Sequence, residues 1–212
     1  MPKVNSFDDN VDRYDAWFER NRPAYESELE AIRGLLPKYG RGLEIGVGTG
    51  LFAAPLGLRY GLDPSRNMSK AAVKRGIQVI LGVGENLPFK KSCFDIVLMV
   101  TTICFLDDVL LTLNEAYRVL TIRGCIVISF IDRESPLGKV YEFQKTSNVF
   151  YKDAAFRSMD EVLSLLKQAG FRDFLFHQTI LRNPSEMKER DLVKIGYGEG
   201  SFVVVRGEKP LQ

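Results

Sequence analysis

The sequence predicts an α/β fold, one domain spanning residues 1–212, and three observations predict it. Runs at 94–100 and 125–131 are apolar almost throughout, the mark of strands buried in a parallel sheet, and 77–81 is a further strand. Stretches with helical spacing alternate with them, at 25–36, 65–75 and 106–120. A glycine-rich string, GLEIGVGTG at 42–50, joins the end of one strand to a short helix. Such a junction describes a ligand crevice at the carboxyl end of the sheet.

Bulk composition narrows the partners. The hydrophobic fraction of 45% and charged fraction of 26% suit a soluble globular chain. A formal net charge of +2 supplies no field for nucleic acid or an anionic membrane. Cys93, Cys104 and Cys125 are odd in number, lack CxxC spacing and lie in or beside apolar runs. Buried free thiols in a reducing compartment are expected. No apolar core marks residues 1–6 as a signal, and no apolar run reaches membrane-spanning length. The expectation is a cytoplasmic protein with no nucleic-acid partner, no membrane insertion and no metal.

Each element follows from its residues. Tyr25, Leu29, Ile32, Leu35 and Leu36 make one helical stripe, stopped by Pro37 and Gly40. Tyr14, Trp17 and Phe18 share a face of an earlier helix and either pack on the domain or cover the crevice. Residues 1–38 are thus an N-terminal helical lid in prospect. Glu44 closes the first strand, and Gly46, Gly48 and Gly50 let the backbone turn and approach a ligand. Residues 51–56, with Pro55, allow about two helical turns at most, whose first N–H groups face the crevice. A strand at 59–63 ends in Asp63; Pro64 and Ser65 open a helix that Gly76 stops. The loop 82–89 is too rich in glycine and proline for regular structure. Asp107 and Asp108 open the next helix. Residues 136–150 are helical in part, and Ser158 with Glu161 reads as a capping box. Strands at 171–179 and 201–206 flank a charge-balanced, solvated excursion.

The glycine spacing separates nucleotide classes. A dinucleotide fingerprint, GxGxxG, needs glycine where this chain has Leu51, and Glu44 would repel a pyrophosphate in a low-dielectric crevice. EIGVGTG at 44–50, GLDPS at 61–65, ENLPF at 85–89 with Phe94 and Asp95, and EAYRVL at 115–120 occur in that order. Together they resemble the motifs of class I S-adenosylmethionine (SAM)-dependent methyltransferases over roughly residues 40–131. The small-molecule enzymes, including those of quinone biosynthesis, are the most similar in style.

The resemblance implies a Rossmann-like, seven-stranded, mostly parallel sheet with helices on both faces and an antiparallel last strand. It implies SAM as cofactor and places Glu44, Gly46, Val47 and Gly48 at its methionine end. Asp63 would take both ribose hydroxyls, with Pro64 and Ser65 beside it, although Asp63 could equally serve only to cap the following helix. Met68 would cover the adenine or belong to the core, Gly84 and Glu85 would meet the adenine edge, and Thr101 would line the methyl-transfer side. Val83 stands where relatives carry an acid for the adenine amino group. TIRG at 121–124 replaces their usual turn before the fifth strand.

Methyl transfer from a sulfonium is an in-line displacement that needs alignment and exclusion of water rather than a nucleophile. No catalytic dyad is therefore assigned. Cys104 follows Ile103 rather than proline, against a cytosine-attacking role, and His177 reads as a strand residue. The small-molecule acceptor is expected to meet Tyr14, Trp17, Phe105, Ser135 and Tyr141. A SAM-binding module without catalysis and an NAD(P)-dependent oxidoreductase are the competing readings, the latter disfavoured by Leu51 and Glu44.

Overall fold

The computed structural model describes residues 4–211. Helices α1 (Asn5–Asp8), α2 (Val11–Arg20) and α3 (Arg22–Arg33) precede β1 (Gly42–Ile45), α4 (Ala53–Leu56), β2 (Tyr60–Asp63), α5 (Arg66–Lys74) and β3 (Gln78–Leu81). Then follow β4 (Phe94–Val100), α6 (Val109–Val119), β5 (Leu120–Ile131), α7 (Pro136–Gln144), α8 (Met159–Gln168), β6 (Arg172–Thr179), β7 (Lys194–Ile195) and β8 (Phe202–Glu208). The strands form one eight-stranded sheet ordered β3-β2-β1-β4-β5-β8-β6-β7. β1 to β5 pair in parallel, and β8 runs antiparallel between β5 and β6. The strand beyond the expected seven is β7, a two-residue antiparallel pairing at the β6 edge. Two residues carry no periodicity that a sequence could display.

Side chains of β4 alternate between two cores. Ile96, Leu98 and Val100 join Ile32, Leu29 and Phe52 on one face, while Val97 and Met99 join Leu113, Val162 and Leu166 on the other. That double burial is why the run is apolar throughout. Ser65, Asp108, Ser135 and Ser158 cap α5, α6, α7 and α8 by accepting from Met68, Leu111, Gly138 and Glu161 N–H. Glu161 completes the capping box as its spacing predicts.

Several expectations change. Helix α4 is a single four-residue turn, and α3 ends at Arg33 with Leu35 and Leu36 in the turn beyond. The TIRG stretch lies inside β5, where Arg123 adopts φ 62° and the register with β4 shifts. The segment after β6 is mostly exposed, as expected, but is anchored at a few buried points. Ile180, Pro184 and Met187 are buried, and Asp191 accepts from Leu181 N–H and Arg182 while its own N–H donates to Ser27 Oγ on α3. Cys104 and Cys125 are buried free thiols, but Cys93 is only half-buried. His177 Nδ1 lies 3.0 Å from the Ala31 carbonyl and ties β6 to α3, a structural strand role. Among the described residues no helix is long and apolar enough to cross a membrane.

Candidate functional site

The chain runs β1, β2, β3 to one edge and returns to place β4 beside β1. Ligands in such sheets bind outside the strand carboxyl ends at this reversal. A cavity of about 440 Å³ opens there. Gly46 leaves β1 with φ 71°, and a Cβ on it would stand 2.3 Å from Thr102 Oγ1, so only glycine fits. Gly48, also at positive φ, donates its N–H to Asp63 Oδ2 at 2.8 Å, and Ser65 N–H donates to Oδ1 at 2.8 Å. The carboxylate is thereby fixed at the cavity wall with lone pairs to spare. Burial pushes Asp63 above its ordinary range, and the N–H groups of Ser65 and Gly48 oppose that shift. Capping of the following turn and a ligand-facing position coexist in this one side chain. Pro64, Ser65 and the fully buried Met68 continue the wall.

On the next side the cavity meets Gly82, Val83, Gly84 and Glu85. The Glu85 carboxylate turns away to accept from Asp107 N–H at 2.9 Å and Asp108 N–H at 3.2 Å, leaving its backbone at the cavity. Residues 87–89 are held from α6: Glu115 accepts from Leu87 N–H, and Arg118 donates to the Phe89 and Leu87 carbonyls while paired with Glu115. Thr101 closes β4 at φ 50°, a left-handed conformation costly for a β-branched residue, and is held by its N–H on Ser129 O at 2.7 Å.

Helices α1 and α2 cover the glycine loop. Asp8 Oδ1 accepts from Ser65 Oγ at 2.6 Å and Asn67 N–H at 2.9 Å, and the Asn67 N–H chiefly holds its carboxyl below the ordinary range. Asp15 accepts from Thr49 Oγ1 at 2.7 Å and pairs with Arg75 at 2.6 Å. Tyr14, Trp17, Phe105 and Tyr141 all line the cavity. Phe7, Phe150 and Tyr151 extend this aromatic wall, with Phe7 5.0 Å from Phe105 and Tyr141 5.1 Å from Tyr151 between ring centres.

Three expected site residues lie elsewhere. Val47 is buried beneath Gly61, whose missing Cβ would stand 2.7 Å from its Cγ1. Ser135 caps α7, its hydroxyl donating to Asp132 O at 2.6 Å and accepting from Gly138 N–H at 3.0 Å. Glu44 is turned below the loop, because strand alternation sends Leu43 and Ile45 to the opposite core. It accepts the Ala53 N–H, so α4 does not offer that donor to the cavity. Its Oε2 is buried without a partner, and burial pushes its carboxyl well above the usual range. Glu44 acts on loop geometry rather than from the cavity wall.

Glu28 belongs to the cavity although it does not figure among the sequence-derived candidates. Its signal was available: position 28 falls in the stripe of Tyr25, Leu29 and Ile32, where an acid is out of place. It is 5% exposed, and burial alone raises its carboxyl to about 8.

Several known proteins are similar to this chain. The family profile described as "Methyltransferase domain" matches residues 43–128. An uncharacterised protein of Methanocaldococcus jannaschii is 47% identical over 206 residues, covering 97% of this chain and all of its own. A crystal structure from Thermotoga maritima superposes with TM-score 0.95 and 50% identity, covering 97% of this chain and 99% of that one. That protein is named a SAM-dependent methyltransferase and possible histamine N-methyltransferase. Phosphoethanolamine N-methyltransferase 2 of Haemonchus contortus, solved with SAM, shares the fold at TM-score 0.68 and 17% identity, over 96% of this chain and 57% of that one.

Proposed function

The chain belongs to the SAM-dependent methyltransferases, and from that premise we propose that it methylates a small molecule in the cytoplasm, with residues 1–38 as lid over the site. The observation that carries the site assignment is Asp63, a buried carboxylate fixed by Gly48 and Ser65 N–H at the wall of the cavity. Its free lone pairs suit the paired hydroxyls of a ribose. The cavity lies open where Gly46 and Gly48 carry no side chain, which leaves room for the methionine end. Pro64, Ser65 and Met68 would border the nucleoside, with Gly84 and Glu85 at the adenine edge. Val83 forgoes one hydrogen bond there, on the order of 1 kcal/mol. When bound, the cofactor supplies a methyl group activated by a sulfonium. The chain's own part is to align the acceptor beside Thr101 and to exclude water with the aromatic wall.

Charge and shape support a small-molecule acceptor over nucleic acid. Among the described residues the cavity lining holds no lysine or arginine, and net charge is +2. Three free cysteines fit a reducing compartment. Histamine, from the name of the Thermotoga protein, joins amines, phenols and quinols in the acceptor panel. The first experiment is a thermal-shift titration with S-adenosylhomocysteine against NADH. Stabilisation by S-adenosylhomocysteine alone is expected; stabilisation by NADH alone would sink the proposal.

A further inference from the structure

Glu28 is a cavity carboxylate that the cofactor assignment does not use and that serves no turn or cap. It makes no hydrogen bond or ion pair to any described residue, and burial is the sole cause of its raised pKa. A buried carboxylate without a partner is costly, so its retention at a cavity wall calls for a ligand that offsets the cost. The charged residues lining the cavity are Glu28, Asp63, Asp107 and Glu85, all acids, the last turning its carboxylate away. Tyr14, Tyr141 and Tyr151 line the same cavity as Glu28, with Tyr141 and Tyr151 stacked at 5.1 Å. Aromatic faces beside a carboxylate attract a cation.

The sheet separates Glu28 from the ribose end. Asp63 closes β2, whereas α3 packs on β6 and β8, beyond β5. Three strand spacings divide β2 from β5, about 14 Å at the usual interstrand distance. Ile131, Leu137, Tyr141 and Pro184 line the cavity on the β5 side.

We propose that Glu28, with Tyr14, Tyr141 and Tyr151, binds the methyl acceptor as a protonated amine and takes the proton that frees its nitrogen. This rests on the methyltransferase reading. The ammonium N–H bond breaks toward Glu28, leaving a carboxylic acid and a neutral amine. The nitrogen lone pair bonds to the methyl carbon of SAM as the carbon–sulfur bond breaks, its electron pair staying on sulfur. The product nitrogen keeps the positive charge, and Glu28 leaves the cycle protonated, as it entered it. One proton is released per methyl group. With a carboxyl near 8, Glu28 holds a proton at neutral pH until the ammonium binds; the cation displaces that proton to water and leaves the carboxylate that takes the ammonium proton.

The test compares wild type with Glu28→Gln and Glu28→Asp, each loaded with S-adenosylhomocysteine so that no turnover is needed. Calorimetry reports S-adenosylhomocysteine affinity, and the fluorescence of Trp17, the chain's one tryptophan and a cavity residue, reports acceptor binding. The probes are 2-phenylethylamine, 2-phenylethanol, 4-ethylphenol and 3-phenylpropionate. Wild type should bind the amine at least tenfold tighter than the others. Glu28→Gln should lose that preference at least tenfold with S-adenosylhomocysteine affinity within twofold, and Glu28→Asp should recover part of it. Preference for the phenol or the acid, no amine binding, or an unchanged preference in Glu28→Gln would overturn the proposal. So would loss of S-adenosylhomocysteine binding in Glu28→Gln, which would assign Glu28 to the cofactor. Failure of wild type to bind S-adenosylhomocysteine would instead remove the methyltransferase site assignment.

Discussion

Asp63 concentrates three tasks in one side chain: it fixes the glycine loop through Gly48, the start of the next turn through Ser65, and the chemistry of the cavity wall. Removing it takes away both the acceptor for a ribose and the tether of the loop. Asp63→Ala should therefore weaken S-adenosylhomocysteine binding at least tenfold by calorimetry, about the worth of a charge-assisted hydrogen bond. Unchanged affinity would show that the ribose lies elsewhere. Glu44 makes a contrasting case at the same scale. Both acids follow glycine-loop logic in the sequence, but alternation along β1 turns Glu44 beneath its loop, while Asp63, at the end of β2, lies on the cavity wall. A string of residues cannot tell the two apart until the strand's facing is known.

At the level of elements, the cavity is assembled by tethers that cross between helices and loops. Glu115 and Arg118 on α6 hold the stretch 87–89, next to the expected adenine edge. Arg118→Ala should leave the fold intact, since α6 keeps Val109, Leu113 and Ala116 in the core. It should raise amide exchange at residues 85–89 and weaken S-adenosylhomocysteine binding several-fold. Protected amides in that loop would mean that the glycines and Leu87 packing suffice. The capping box at Ser158 and the stop at Gly170 were legible because their chemistry is local. The buried anchor points of the segment after β6 were not legible. Its mixed charges resemble a solvated loop, yet Asp191 and Ser27 meet across 164 residues of chain.

For the whole molecule, buried acids govern the pH dependence of stability. Burial raises Glu28 to about 8 and lifts Glu44 and Asp63 above their ordinary values. Glu28 faces the tyrosines at 14, 141 and 151, and Glu44 faces the Ala53 N–H and Asp63. Between about pH 4, where these carboxyls titrate in the unfolded chain, and their raised folded values, the folded state holds more protons. Stability of the ligand-free protein should thus fall as pH rises from about 4 to 8. Glu28→Gln should flatten part of that fall and melt a few degrees higher than wild type at pH 8. A wild-type melting temperature that rises across this window would contradict the assignment. Asp8, Glu115 and Glu161, lowered by hydrogen bonds or Arg118, act oppositely and lose their contribution as pH drops through the acid range.

The sequence by itself determined the alternating α/β order, the helix caps, the glycine loop and Asp63, because each rests on local periodicity or on chemistry between near neighbours. Tertiary structure alone decided which acids face the cavity. Glu44 lies under its own loop, Ser135 spends its hydroxyl on a cap, and Glu28 reaches the cavity from α3, the helix just before β1. Those outcomes depend on how strands and helices face one another, and facing is a property of the packed sheet rather than of any stretch of chain.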